Sequence, residues 1–194
     1  MVAEAVRSAL AGSRYVRDVR LIGSRADGRA HELSDWDFAV ETDEFEALAR
    51  ELPILVAPLD PIAEQWDRYS PHACYMLILA GPTKIDLLFL GQPQDYAPPW
   101  AVTAETLEAV DRHFWDWILW LEQKRRAGRV DVLVPGLESL HRYLLAPLGA
   151  EEPPGSVAGA VATYLRARGA AEERFGLAVP RRLEREVRPV LEGG

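Results

Sequence analysis

The sequence predicts an α+β protein in two parts, a strand-bearing N-terminal half and a C-terminal helical bundle. Three observations carry that prediction. Short apolar runs within residues 16–41 and 73–90 have the length and the turn-residue borders of β-strands. Beyond residue 102 strand signals nearly vanish and apolar residues recur at helical spacing. Between the two lies Gly91 to Pro99, whose Pro93, Pro98 and Pro99 make it the best linker candidate. The expected division is residues 1–92, a linker over 93–102 and a bundle over 103–194.

In order along the chain, Val2 to Ala11 have helical spacing and Gly12-Ser13 ends that segment. Val16 to Ile22 reads as a short strand leading into Gly23-Ser24. Trp36 to Glu41 is a second strand, because apolar Trp36, Phe38 and Val40 alternate with Asp37 and Ala39. Asp43 is placed to cap a helix through Glu51, with Glu44 and Glu46 in its first turn. Pro53, Pro58 and Pro61 are expected to break up the chain that follows. Ala73–Ala80 and Lys84–Leu90 flank Gly81-Pro82-Thr83 as an antiparallel hairpin.

In the second half, Thr103 can cap a helix that runs to Arg126 and stops at Gly128. Its apolar stripe is read as Leu107, Val110, Phe114, Trp117 and Leu121. Further helices cover Val132 to Leu145, Ser156 to Phe175 and a short segment after Pro180. Pro135 fits the first of these only as part of its first turn.

Composition narrows the class. Hydrophobic content of 48% with 27% charged residues describes a globular chain, not a disordered one. A net charge of −8 argues against a nonspecific nucleic-acid binder and mildly favours cationic partners. Cys74 is the single cysteine, so a disulfide framework and a cysteine-based zinc site are both excluded, and its apolar surroundings suit a core position. No signal-like or membrane-length apolar segment is evident, which makes a cytoplasmic location the default.

The chemistry concentrates in Leu21 to Val40. Asp35 and Asp37 stand two apart at the head of a strand, so both side chains leave one face, ~7 Å apart along the backbone, while Trp36 and Phe38 face a core. Asp86 lies within Ile85-Asp86-Leu87-Leu88-Phe89, where an ionised carboxylate is costly unless a cation or hydrogen bonds compensate it. If the two strands are neighbours, three carboxylates converge, an arrangement that suits two Mg²⁺ ions ~3.5–4 Å apart. Gly23 permits close backbone approach to a ligand, and Ser24 adds a hydroxyl and the amides of a following helical turn, an anion site. Lys84 shares the parity of Asp86 and could touch a phosphate on that face; a solvated strand-end lysine is the plainer alternative.

Gly23-Ser24, the Ser34-Asp35-Trp36-Asp37 run and the distant strand aspartate Asp86 resemble the polymerase-beta-type nucleotidyltransferase superfamily, in particular its minimal and aminoglycoside nucleotidyltransferases. The motif-level resemblance covers about Val16 to Leu90, and the C-terminal half resembles the accessory bundle of the aminoglycoside enzymes in placement and helical character. The resemblance implies a small mixed sheet with helices on one face. It also implies a transferase that uses two Mg²⁺ ions and ATP to move AMP onto a hydroxyl of an acceptor, a small molecule before a protein. Asp35, Asp37 and Asp86 would be its metal-binding and catalytic residues, and Gly23, Ser24, Arg25 and Lys84 its nucleotide-binding residues. The minimal enzymes commonly carry Gly-Ser-x-Ala-Arg-Gly. Here Asp27 replaces the basic residue, leaving Arg25 or Arg29 as substitutes for any phosphate contact it made. The aminoglycoside enzymes' architecture further implies a second-domain base, for which Glu122 and Glu138 are candidates, and an acceptor pocket made by closing the bundle over the sheet. Trp115 or Trp120, with His113, could offer a stacking surface, whereas Trp117 falls on the core stripe.

Two rivals stand beside this reading. An antitoxin-like transferase would keep the chemistry and modify a partner protein; the C-terminal helices lack the Arg-x4–6-His arrangement of the RNase that such proteins accompany. A non-catalytic nucleotide-binding protein would keep the fold alone. It has no need of three carboxylates at one place.

Overall fold

A computed structural model of the chain describes residues 1–93 and 100–192. The chain divides into two compact units, Met1–Tyr96 and Ala97–Gly194. Residues 94–99, which hold most of the expected linker, lie outside the described residues. The fold is α+β. It has a five-stranded mixed sheet in the first unit and helices alone in the second, among the described residues. None of the described helices is long and apolar enough to cross a membrane.

The first unit opens with α1 (Val2–Leu10), β1 (Asp18–Ile22) and a single helical turn, α2 (Gly23–Ala26). Then come β2 (Trp36–Glu41), α3 (Phe45–Val56), β3 (Ala63–Trp66), β4 (His72–Leu79) and β5 (Thr83–Pro93). The sheet order is β1-β2-β5-β4-β3. Only β2 and β5 run parallel; the other neighbours are antiparallel, including the expected β4–β5 hairpin. One sheet face carries Phe38, Val40, Ala73, Tyr75, Leu77, Ile85, Leu87 and Phe89, and Val6, Leu10, Leu48, Leu52 and Val56 of α1 and α3 close over it as a single core. At ~25 cal/mol per Å² of apolar area removed from water, this layer is the main stabiliser of the unit. By strand alternation the opposite face receives Asp37, Lys84 and Asp86.

Three local expectations are corrected in this unit. Asp43 does not cap α3; it pairs with Arg17 (2.8 Å), and Thr42 Oγ1 instead accepts from the Glu44 amide. Pro53 does not end α3, which continues to Val56 because Leu48, Leu52 and Val56 keep one buried stripe while Pro53 lies on the exposed side. The edge strand β3 was not expected. Its four residues include Glu64 and Gln65, and its pairing to Leu77 and Met76 of β4 supplies what its own pattern lacks.

The second unit comprises α4 (Leu107–Arg126), α5 (Val130–Leu140) continued by a π-helical turn over His141–Leu145, α6 (Val157–Phe175) and α7 (Arg182–Glu192). Thr103 and Thr106 bond reciprocally, each amide to the other's hydroxyl, and α4 begins only at Leu107. Pro135 lies inside α5, beyond its first turn, again on an exposed side. Ser156 caps α6 by accepting from the Gly159 amide, and Gly176 ends it at φ 65°. The buried stripe of α4 runs through Leu107, Val110, Phe114, Ile118 and Leu121. Trp117 is therefore one residue off the stripe and half-buried, while Trp115 is fully buried against Phe114 and Tyr164. The sequence reading had those two tryptophans the other way round. Trp120 is half-buried with Lys124 over its ring.

Candidate metal centre

The parallel pairing of β2 with β5 builds the centre. It sets Asp37 directly opposite Asp86, and Ile22, the last residue of β1, opposite Asp37 on the other side. Asp35, one residue before β2, joins them. One carboxylate oxygen from each of Asp35, Asp37 and Asp86 lies within 4.8 Å of the other two. Ligands of one Mg²⁺ ion bound at ~2.1 Å stand ~3.0 Å apart when cis and ~4.2 Å apart when trans. The three oxygens would therefore draw together by up to about 1.8 Å to share one ion.

Two further features fit a cation. Asp86 Oδ1 is buried and has no hydrogen-bond partner among the described residues, a costly condition for a carboxylate oxygen unless a ligand satisfies it. Gly23 sits at φ 69°, and a Cβ placed there would overlap Asp37 Oδ2 and stand 3.3 Å from its Cγ. The glycine thus leaves the Asp37 carboxylate its room. All-oxygen carboxylate donors suit Mg²⁺ better than a softer transition metal.

The positive charges nearby are Lys84 and Arg25. Lys84 Nζ is 2.5 Å from Asp86 Oδ2 and 3.9 Å from Asp35 Oδ2, and its side chain is only 9% exposed. It lies on the triad's face, as its parity implied, and there it pairs with the carboxylates themselves. Arg25, expected beside the nucleotide, is bonded to the main chain. Its Nε and Nη2 donate to the carbonyls of Ser34 and Asp35, and Nη2 also reaches that of Glu32, while its guanidinium lies 4.1 Å from the Trp36 ring centroid. Burial lowers its pKa from the ordinary arginine value, against the pull of Asp35 and Asp37. Arg25 therefore braces the backbone that carries Asp35. Arg29 pairs with Asp27, both largely exposed.

Ser24 is half-buried at the start of α2, whose first amides have no intrahelical acceptor. His31 N donates to Ser34 Oγ (2.9 Å), folding the loop back toward β2. Of the second-unit candidates, Glu122 is held in an ion-paired cluster. Burial alone would raise its pKa, but Arg125 and Arg126 donate to both its oxygens at 2.7–2.8 Å and the net shift is downward, the wrong direction for a base. Glu138 is exposed on α5.

The sequence reading missed a buried polar network in the second unit. Asp111 Oδ1 accepts from Tyr164 Oη (2.5 Å), Arg168 Nη1 (3.1 Å) and Trp115 Nε1 (3.2 Å), and Arg168 continues to Glu184 (2.6 Å). Burial raises the Asp111 pKa against those hydrogen bonds, and burial beside Asp111 pushes that of Tyr164 well up. The network ties α4, α6 and α7 together. Only the charge of Arg168 amid an apolar helix face could have signalled it.

No model of a known protein family matches the chain. No curated protein matches it either. Among solved structures, an aminoglycoside 6-adenyltransferase from Bacillus subtilis is similar over 98% of this chain and 96% of its own, with 12% identity and a TM-score of 0.36. A likeness of that degree carries no argument, and the functional reading rests on the residues of the site.

Proposed function

We propose that the protein is a Mg²⁺-dependent nucleotidyltransferase that moves AMP from ATP to a hydroxyl of a small acceptor and releases pyrophosphate. The observation that carries the proposal is the meeting of Asp35, Asp37 and Asp86 beside the Gly23 turn. Two Mg²⁺ ions, when bound, supply positive charge to the attacking and leaving oxygens of an in-line displacement. Asp35, Asp37 and Asp86 would hold the ions. The acceptor oxygen forms a bond to the α-phosphorus as the bond to the β-phosphate oxygen breaks, and the hydroxyl proton passes to the Asp86 carboxylate. Gly23 and Ser24 take the β- and γ-phosphates through backbone amides and the serine hydroxyl. Arg25 keeps Asp35 in place from behind. A net charge of −8 supports a cationic acceptor of the aminoglycoside kind. The reading places the protein in the cytoplasm, where its nucleotide is supplied.

The test uses each of four nucleoside triphosphates labelled at the α-phosphate, with Mg²⁺ and either an aminoglycoside panel or a cell lysate. The proposal expects labelled small molecule with ATP from the wild type and none from Asp37→Asn. Label on a protein instead would favour the antitoxin-like rival. Silence from a folded wild-type protein in every combination would refute transferase activity.

A further inference from the structure

Lys84 brings an ammonium to the carboxylate triad, and its position is that of a cation already bound there. Nζ lies between Asp86 Oδ2 and Asp35 Oδ2, at 2.5 and 3.9 Å. The lysine and both carboxylates are largely removed from solvent, with side chains 9%, 11% and 15% exposed for Lys84, Asp35 and Asp86. The three carboxylates repel one another in this setting, and the ammonium is the internal charge that offsets part of that repulsion. A divalent ion ligated by the same oxygens would sit ~2.1 Å from Asp86 and within a few ångströms of Nζ, where the two positive charges repel. The triad therefore cannot keep the close Lys84 contact and take up metal without loss.

We propose that Lys84 is a built-in competitor for the metal centre: its ammonium holds the triad together when metal is absent and must leave Asp86 and Asp35 for a divalent ion to enter. The inference rests on the metal-centre reading above and adds a control to it. The four-carbon stem lets Nζ change rotamer while Ile85 and Leu87 keep the strand fixed in the core. Lys84 thus sets how much free metal the protein needs, and it protects the metal-free fold from its own negative charge. Two cations contending for one site are antagonistically linked, and such couplings run to about 5- to 150-fold in affinity.

The experiment measures Mn²⁺ binding by calorimetry, and melting temperature in chelator and in Mn²⁺, for the wild type, Lys84→Met and Lys84→Arg. The expected result is that Lys84→Met melts lower than the wild type in chelator and binds Mn²⁺ about tenfold tighter, with a larger upward shift on adding metal. Lys84→Arg, which keeps the charge, gains no affinity. A measurement on the unmutated chain guards against misfolding of the variants. The sequence has only two lysines, Lys84 and Lys124, so ¹³C-lysine labelling gives two Cε–Hε signals. Mg²⁺ should move the Lys84 signal and leave that of Lys124 in place. Equal Mn²⁺ affinity in the wild type and Lys84→Met, or a Lys84 signal unmoved at saturating metal, overturns the inference while the metal centre stands. Absence of Mn²⁺ binding in both the wild type and Lys84→Met overturns the metal centre and this inference together.

Discussion

Replacing Gly23 by alanine probes the centre through one added carbon. Gly23 stands at φ 69°, where an L-residue costs ~1–2 kcal/mol. The new Cβ would also overlap Asp37 Oδ2, so the carboxylate must withdraw by roughly 1 Å to reach ordinary contact. Gly28 isolates the second effect. Its φ is 68°, nearly the same, but a Cβ there meets nothing within 4 Å. Both variants should lose about 1–2 kcal/mol of stability, a fall in melting temperature of about 5–10 °C for a unit of this size. Only Gly23→Ala should weaken Mn²⁺ binding, by about 10- to 100-fold, because only there is a ligand displaced. The assay is calorimetric Mn²⁺ titration beside thermal melts of the two variants. If both weaken Mn²⁺ equally, or neither does, the reasoning that ties Gly23 to the Asp37 carboxylate is wrong.

Three further outcomes are expected. Arg25→Ala should cost about 1.5–3 kcal/mol, the worth of charge-assisted bonds to the Ser34 and Asp35 carbonyls, and should weaken Mn²⁺ binding in the same titration; unchanged affinity would remove Arg25 from its bracing role. Tyr164→Phe takes one donor from buried Asp111 and should lower stability to urea by about 1–3 kcal/mol, and a loss below about 0.5 kcal/mol would mean Arg168 and Trp115 alone satisfy that oxygen. Glu172 has its pKa held below the usual 4.5 by hydrogen bonds from Arg181, so its stabilising effect is complete above that value and is lost as pH falls through the lower folded-state pKa. Melting curves of the wild type and Glu172→Gln should accordingly differ at pH 6 and converge toward pH 3, and parallel curves would refute the assignment.

Much of the centre was legible before any coordinates, for local reasons. Trp36, Phe38 and Val40 alternate with Asp37 strictly enough to show both the strand and the face each residue takes. Asp86 declared itself as a charge inside an apolar run. That the two meet depends on β2 and β5 pairing in parallel across an intervening helix and two strands, and no local pattern states such a partnership. Pro53 was read as a break and Pro135 as tolerable only in a first turn, yet each sits on the exposed side of a helix whose buried stripe continues past it. Trp117 and Trp115 exchanged places because α4 buries a face wider than one stripe, which takes in Trp115, Ile118 and Leu119 and leaves Trp117 half-buried. The bonds of Arg25 to main-chain carbonyls are of a kind that a sequence does not display.

The centre itself is tested most directly by crystals grown with Mn²⁺ and a non-hydrolysable ATP analogue, examined by anomalous scattering at the manganese edge. The account predicts one or two peaks within bonding distance, ~2.1–2.2 Å, of oxygens from Asp35, Asp37 and Asp86, with the analogue's phosphates on the Gly23-Ser24 side. Manganese bound elsewhere, with those three carboxylates bare in a well-ordered map, would contradict it.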